Sequence, residues 1–541
     1  MPQEDIPLPM TPEHGLTSRR VETLLLLAVW LLFLVLALRT FGSESIYTFF
    51  HSDAAIPVLM ANNERPITVF DYYYYSADRW GGWPLLVSKW LHLNTGLRWN
   101  DQRLHYFRTT WLFLGLLVLA TLNTRAAPAV IVSALLVLCL EPTVRRLMFD
   151  QSQLYAWQVP PLFLAWFCLR HLLAQTFRSE DVVSVRVRRY LLGAAFYVSA
   201  LFAIWSSVAS GPFLAVLLTL EALRSHFSFK NLSKRKIGLA VLLLLAAIGT
   251  ELLMKKNYHR HSFKHFGNDM KTPMWLDFAY LDVNLNTNWH NILQYPLFPL
   301  IGLAIVFVLV VGIFMLYARV ARKRSLMSSF FEDDTFTMIV GLTAMTAANF
   351  ALMVSVSHVR ADDYDIRFHT LTLFFGAVAG LLTIYLIIRV LANRFAVTRY
   401  VLPSVLVGAF IFLGINFPPR ASSEGYKIHR QTALDLAQKA PGAILMGGYW
   451  QTYVFAGLQP TNTMIPLPIE GVLNRTPWTQ AMLQDSEQVV VEYRESALVG
   501  KTSLPPNELR QFGNLLKLQD AHFYENGPYA FALYLNERNK P

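Results

Sequence analysis

Long apolar runs recur through residues 1–417 of the chain, and they constrain its fold more than any other feature. Several of these runs reach the roughly 17–25 residues that a helix needs to cross a bilayer. Only 15% of the 541 residues are charged, whereas a soluble globular protein carries about a quarter. The sequence therefore predicts a polytopic membrane protein, and it excludes a cytosolic enzyme, a secreted disulfide scaffold and a nucleic-acid-binding protein.

The apolar runs divide the chain into three parts. We expect a cytoplasmic tail at 1–20, an all-α transmembrane domain at 21–417 with a long first external loop at 42–107, and an external soluble domain at 418–541. The last part alternates short apolar runs with helix-like stretches and is long enough for its own core, which predicts a small α/β domain. The eleven predicted transmembrane helices are 21–41, 108–124, 126–141, 155–173, 190–208, 210–226, 238–255, 296–318, 336–357, 370–390 and 400–417.

The distribution of basic residues predicts the orientation. The net charge of +11 resides in residues 1–417, because 418–541 holds 11 Lys/Arg and 11 Asp/Glu. With the N-terminus inside, twenty Lys/Arg fall in cytoplasmic segments and nine in the short external loops, as the positive-inside rule favours. An odd number of spans then places the C-terminal domain outside. Cys139 and Cys168 both lie within apolar runs, so we expect no disulfide framework.

The first external loop carries an early acidic residue, Asp53, in the segment His51-Ser52-Asp53-Ala54-Ala55. A carboxylate near the bilayer surface can accept a proton from a hydroxyl nucleophile. From these residues alone an N-cap role is the favoured interpretation, since Ser or Asp before Ala-Ala-Ile caps a helix well. Residues 53–63 and 83–93 mix apolar and polar positions, and they are expected to form amphipathic helices at the membrane surface.

Other polar residues of this loop are candidates for lining a substrate cavity. Asp71 and Asp78 could hold a metal ion or sugar hydroxyls, although Asp78 beside Arg79 is also explained by a surface ion pair. The tyrosines at 72–75 and the nearby tryptophans favour an interfacial aromatic belt over a sugar platform.

The external segment 255–265 contains four Lys/Arg and three His on the side where positive charge is disfavoured. Binding of a lipid phosphate or diphosphate would account for this cluster, and general contact with anionic head groups is the alternative. The candidate phosphate ligands are Lys255, Lys256, Arg260, His261 and Lys264.

A third polar segment, 357–369, runs directly into the predicted span 370–390. Three carboxylates and two arginines at the mouth of a helix are costly if they face lipid, so they are expected to face a wet cavity or one another. Arg367 could form a forked contact with a phosphate, or it could belong to a self-satisfied Asp/Arg network. The further cavity candidates in this segment are Arg360, Asp365 and His369.

The sequence contains no phosphate-binding glycine loop, dinucleotide fingerprint, Ser or Cys nucleophile motif, or structural zinc spacing. Few ionisable residues lie within the spans, which argues against a proton-coupled transporter. We therefore expect no cofactor, although a divalent metal remains possible, and we expect any chemistry to lie at the external surface.

This layout resembles the GT-C-fold integral membrane glycosyltransferases. The resemblance rests on the N-in first span, the long first external loop with its early Asp53, the many further spans and the external C-terminal domain. The segment Asp365-Ile366-Arg367-Phe368-His369, which enters a span, is similar to the Arg-Tyr-x-x-Pro type segment common in that superfamily.

The resemblance implies transfer of a hexose or pentose from a polyprenyl-phosphate donor to a glycan, lipid or protein acceptor on the external face. Asp53 would be the general base, and Arg367 with the basic cluster would hold the donor phosphate. It also implies a cell-envelope enzyme of a bacterial inner membrane, with the C-terminal domain in the periplasm. The alternatives are a lipid-linked glycan transporter or polymerase, which should show a polar path through the bilayer, and a non-catalytic subunit of an envelope assembly.

Overall fold

The computed structural model describes most of the chain between residues 52 and 537. The predicted cytoplasmic tail and the first predicted span, 21–41, lie outside the described residues. The described ranges are 52–74, 77–124, 126–149, 153–174, 182–229, 234–266, 278–320, 330–394, 401–416, 424–459, 464–469, 476, 478–494 and 504–537.

The part before residue 417 is almost entirely helical. Short 3-10 turns at Val69–Tyr72, Phe278–Tyr280 and Ile366–His369 interrupt it. Its elements are α1 (Ser52–Ala61), β1 (Tyr73–Tyr74), β2 (Ala77–Gly81), α2 (Trp83–Thr95), α3 (Asp101–Thr121), α4 (Ala127–Leu140), α5 (Pro142–Phe149), α6 (Tyr155–Ala174), α7 (Val182–Ser206), α8 (Ser210–Phe229), α9 (Lys234–Phe266), α10 (Leu281–Leu293), α11 (Phe298–Val320), α12 (Asp334–Ser355), α13 (Ser357–Ala361), α14 (Thr370–Arg394) and α15 (Val401–Asn416).

Within the described ranges, six helices are long and apolar enough to cross a membrane: α3, α7, α9, α11, α12 and α14. A seventh span is present if α4 and α5, which meet at 102°, are counted together. Helices α6 and α8 cover the predicted spans 155–173 and 210–226, but they are not among these six, because polar residues lower their mean hydropathy. The count of eleven therefore stays a prediction, while the helical membrane domain itself is confirmed.

Glycine residues allow close contacts between helices, because glycine has no Cβ. A Cβ on Gly380 of α14 would lie 2.2 Å from the carbonyl oxygen of Leu300 on α11. A Cβ on Gly115 of α3 would lie 2.8 Å from the Cα of Pro160 on α6. These contacts allow the backbones to approach each other, as is common between membrane helices.

Charged side chains of α6, α8 and α12 pair with one another. The carboxylate of Glu221 on α8 accepts from the Arg170 guanidinium at 2.8 Å and from the Trp166 indole N–H at 2.7 Å, both on α6. Arg170 and Arg224 also form ion pairs with Asp334 at the start of α12. This network fixes three helices together and offsets the cost of burying charge.

The C-terminal part forms a small domain around a mixed six-stranded sheet with strand order β4-β3-β5-β8-β7-β6. Strand β3 pairs in parallel with β4 and β5, and the remaining pairings are antiparallel. Its elements are α16 (Glu424–Lys439), β3 (Ile444–Gly447), α17 (Tyr449–Gly457), β4 (Ile465–Pro468), α18 (Trp478–Met482), β5 (Gln488–Glu492), β6 (Glu508–Gln511), β7 (Asn514–Asn526) and β8 (Tyr529–Glu537).

Both faces of this sheet are covered. Leu445 of β3 packs into a cluster with Leu436 of α16 and Phe455 of α17, whereas its neighbours Ile444 and Met446 pack into a second cluster. This alternation follows from the two-residue repeat of a strand. The short apolar runs 443–446 and 489–491 of the predicted α/β domain thus lie in β3 and β5.

Candidate functional site

Helix α1 places Asp53 at the start of a buried element. Residues 54–61 are all buried, and α1 packs against α17 of the C-terminal domain. The contact is so close that a Cβ on Gly457 would lie 2.6 Å from the Cβ of Ala55. The side chains of Ser52 and Asp53 lie outside the described part of the structure. The predicted helix is present, but it is buried between two parts of the molecule and not amphipathic at the surface.

Helix α2, over the second predicted surface segment, is amphipathic. Val87, Trp90 and Leu93 are exposed, whereas Lys89 and His92 are buried. An exposed apolar face with the polar side chains turned inward suits a helix that lies in the membrane interface.

Asp71 is buried in contacts within its own loop. Its carboxylate pairs with the Lys89 ammonium at 2.8 Å and accepts from the backbone N–H of Thr68 at 2.8 Å. Burial, which is the largest effect, lowers the pKa of Lys89, and the Asp71 carboxylate opposes that shift. In this arrangement Asp71 anchors the loop.

The aromatic part of the first loop docks onto α7 and α9. The Tyr73 hydroxyl donates to the Glu251 carboxylate at 3.2 Å, and the Tyr73 and Tyr258 rings lie 4.9 Å apart. The Trp205 indole N–H donates to the Tyr72 carbonyl at 2.7 Å. These described tyrosines therefore form a packed core. The side chains of Asp78 and Arg79, on β2, lie outside the described residues.

This docking brings the first loop beside the basic segment, which occupies the last turns of α9. Lys256, Arg260 and His261 are exposed, Lys255 is half-buried, and Tyr258 between them is buried. Positive charge at a helix C-terminus is also favoured by the helix dipole, which gives this cluster a second explanation. The side chain of Lys264 lies outside the described part.

Arg367 lies in a tight turn held by carboxylates. Its guanidinium pairs with Asp362, and its Nε lies 3.6 Å from Asp365 Oδ2. Asp365 also accepts from the Arg367 backbone N–H at 2.9 Å, while Asp363 and Tyr364 adopt positive φ angles of 52° and 56°. About a third of the Arg367 side chain, 34%, remains exposed. The Asp/Arg network that the sequence allowed is present, and Arg367 still reaches the surface.

His369 is fully buried in an amide network that the sequence analysis missed. Its Nε2 lies 2.6 Å from Asn288 Oδ1, and the Asn288 amide donates to the Asn284 carbonyl at 2.7 Å. The Tyr364 hydroxyl donates to Asn284 Oδ1 at 2.9 Å. One sequence pattern could have predicted this network. Asn284, Asn288 and Asn291 recur at helical spacing and lie on one face of α10, whereas the other faces of that helix carry exposed Leu and Trp.

Arg360 contacts an aromatic ring. Its guanidinium stacks over the Tyr280 ring at 3.9 Å, next to the start of α10. Among the residues that the structure describes, no group of three His, Cys, Asp or Glu side chains could hold a metal ion.

The C-terminal domain closes over the first loop at a seam formed by α1, the start of α3 and the helices α16 and α17. The Tyr426 hydroxyl of α16 donates to the Asp101 carboxylate of α3 at 2.8 Å. The Arg65 guanidinium stacks over the Trp478 ring at 4.9 Å. In the segment 447–453, Tyr449 and Tyr453 are core residues, whereas Trp450 is exposed.

No protein-family model and no curated protein sequence matches the chain. Among solved structures, the chain is similar to the archaeal oligosaccharyltransferase AglB from Archaeoglobus fulgidus in complex with an inhibitory peptide and a dolichol-phosphate, at 10% identity and a TM-score of 0.44, over 87% of this chain and 69% of that one. The apo form of the same oligosaccharyltransferase gives 10% identity, a TM-score of 0.47 and the same coverage. It is also similar to apo ArnT from Cupriavidus metallidurans, at 12% identity and a TM-score of 0.46, over 96% of this chain and 99% of that one.

Proposed function

We propose that the protein is a membrane glycosyltransferase that moves a sugar from a polyprenyl-phosphate donor to an acceptor hydroxyl on the external face of the membrane. The observation that carries the proposal is the position of α1. This buried helix begins at Ser52–Asp53 and is clamped between the first loop and the C-terminal domain. A general base must be held in a fixed position relative to its substrate, and a buried helix provides a rigid support.

The proposed reaction is a direct displacement at the anomeric carbon. Asp53 takes the proton of the acceptor hydroxyl, whose oxygen forms the new bond to the sugar. The bond between the sugar and the lipid phosphate breaks, and the phosphate leaves with the electron pair. The proposal requires no metal ion.

Basic residues of two segments are proposed to stabilise the departing phosphate. Arg367 is partly exposed at the mouth of α14, and its guanidinium could exchange a carboxylate partner for a phosphate. Lys256 and Arg260 are exposed at the end of α9. Preorganised positive charge aimed at the leaving group lowers the barrier to its departure.

The test is sugar release from a panel of labelled polyprenyl-phosphate sugars by the protein in nanodiscs, with water as the acceptor. We expect one donor to turn over. We also expect Arg367→Gln to weaken donor binding by at least tenfold, while Arg494→Gln, which removes a surface arginine paired with Glu525 in the C-terminal domain, leaves it unchanged.

Three outcomes would count against the proposal. Failure of every donor to bind would favour a non-catalytic subunit. Movement of an intact lipid-linked sugar across the bilayer, without release, would favour a transporter. Equal donor binding by Arg367→Gln and wild type would remove the phosphate role from Arg367.

A further inference from the structure

A cavity of about 320 Å³ lies at the seam between the first loop and the C-terminal domain. It is bounded by the end of α1 and the segment after it, by the segment before α3, and by β4 and α18. Its volume falls at the lower end of the range of small-molecule sites in proteins. The lining residues that matter here are Asn62, Glu64, Arg65, Arg98, Thr476 and Trp478.

The charge of this cavity is not balanced. Its charged lining residues are Glu64, Arg65 and Arg98, which sum to +1. Arg98 pairs with Glu64 at 2.9 Å. The Arg65 guanidinium forms no ion pair with any carboxylate in the described part of the chain, and it stacks over the Trp478 ring. A stacked guanidinium keeps its N–H groups directed outward in its plane, where they can bind an anion.

The walls around Arg65 are held in place by internal hydrogen bonds. The Asn62 side chain accepts from the Trp99 backbone N–H at 2.7 Å. The buried hydroxyl of Thr476 lies 3.1 Å from that of Tyr453, which connects the cavity to the core beside α17. The cavity therefore exists before any ligand binds, which lowers the entropic cost of binding.

The position of the cavity separates it from Asp53. Asn62 directly follows the end of α1 and lies nine positions after Asp53, which corresponds to about 14 Å along a helix at about 1.5 Å per residue. A sugar in this cavity cannot react at Asp53. It can belong to the same extended ligand, with its reacting end at the other end of α1.

We propose that this cavity binds an anionic saccharide, with its carboxylate or phosphate on Arg65 and its ring against Trp478. An aromatic face beside a guanidinium that has no carboxylate partner among the described residues matches a ligand that combines an apolar ring face with a negative charge. The assignment of this saccharide to a non-reacting part of the acceptor rests on the proposed function, whereas the binding itself does not.

The test is direct binding by calorimetry to the full chain in nanodiscs, without any donor, so that loss of transferase activity cannot mask or mimic the result. The probes are glucuronic acid, glucose 1-phosphate, glucose and inorganic phosphate. We expect at least one charged sugar to bind at least tenfold more tightly than both glucose and inorganic phosphate. Arg65→Gln and Trp478→Ala should each weaken that binding tenfold or more, and Arg494→Gln should leave it unchanged.

Two results would overturn the inference. One is that neither glucuronic acid nor glucose 1-phosphate binds more tightly than both glucose and inorganic phosphate. The other is unchanged affinity in Arg65→Gln, a variant that should fold normally because Arg65 is exposed. Thermal unfolding of each variant identifies any loss that comes from misfolding, and in that case Arg65→Lys, which keeps the charge but loses the planar fork, replaces Arg65→Gln.

Discussion

Two ion pairs of equal length, one buried and one exposed, allow a test of how burial changes the contribution of a single charged residue to the free energy of unfolding. Asp71–Lys89 and Lys517–Glu537 both measure 2.8 Å, but the side chains of the first pair are almost completely buried and those of the second are about half exposed. Asp71→Asn should lower the free energy of unfolding by about 3–5 kcal/mol, because it leaves the Lys89 ammonium buried without a counter-charge. Glu537→Gln should scarcely change it. Thermal and denaturant unfolding in detergent measure both.

A contrary result would be equal stability of Asp71→Asn and wild type with reduced sugar release, which would return Asp71 to the substrate cavity. The sequence identified Asp71 as an unusual carboxylate in an aromatic loop. It could not identify the partner, because Lys89 looks like an ordinary solvent-exposed residue until the loop folds over α2.

Helix α1 shows what apolar patterning can and cannot predict at the scale of one element. The segment 53–63 is predicted to be a helix, and a helix forms over Ser52–Ala61. Its burial depends on α17, about four hundred residues later, which no local pattern in the first loop encodes. The prediction of an amphipathic helix is confirmed for α2 and wrong for α1, which is buried on all sides.

The packing of α1 on α17 gives a prediction for this pair of elements. Gly457→Ala places a methyl group 2.6 Å from Ala55 Cβ, so the two helices must separate. We expect reduced sugar release together with a lower melting temperature. Gly312→Ala, in the lipid-facing helix α11 where a Cβ meets no atom within 4 Å, should change neither. Normal activity in Gly457→Ala would show that the position of α1 is not critical.

Strand β8 provides a pH-dependent prediction. Burial, helped by the neighbouring Tyr493, raises the pKa of Tyr534 to about 12, and its hydroxyl donates to the Pro506 carbonyl at 2.8 Å. The unfolded chain loses this proton near pH 10 and the folded chain only near pH 12. The contribution of Tyr534 to the free energy of unfolding is therefore fully present below pH 10, and it falls by roughly 2–3 kcal/mol between pH 10 and 12.

Alkaline unfolding monitored by circular dichroism tests this expectation. Tyr534→Phe should lose less stability than wild type between pH 10 and 12. Some dependence of stability on pH should remain, because the pKa values of Tyr493 and Tyr524 are also raised. Identical slopes in the two proteins would contradict it.

At the scale of the whole molecule, the central feature is the docking of the C-terminal domain on the first loop. The sequence predicted a membrane domain, a long loop and a small α/β domain, since hydropathy and turn residues report on each part separately. It could not predict that the second and third of these meet, because the contacts join residues hundreds of positions apart. The seam cavity was missed for this reason.

The Tyr426–Asp101 hydrogen bond tests that docking. Tyr426→Phe removes a donor from a buried carboxylate and should weaken the seam by about 1–3 kcal/mol. Hydrogen exchange at the start of α3 should accelerate. Tyr524→Phe removes an equivalent 2.8 Å bond to Asp435 within the C-terminal domain and should leave exchange at α3 unchanged. Equal exchange at α3 in the two variants would show that this bond does not hold the domain.

The most direct test of the proposed function is the rate of sugar release by Asp53→Asn, measured at saturating concentration of the donor that wild type turns over. Asp53 lies in the first turn of α1, and asparagine has nearly the same size as aspartate, so this substitution removes the base at a cost to the helix of about 1 kcal/mol or less. We predict a loss of about 10²–10⁴-fold in rate with unchanged donor affinity. Sugar release at the wild-type rate with donor bound would contradict the assignment of Asp53 as the general base.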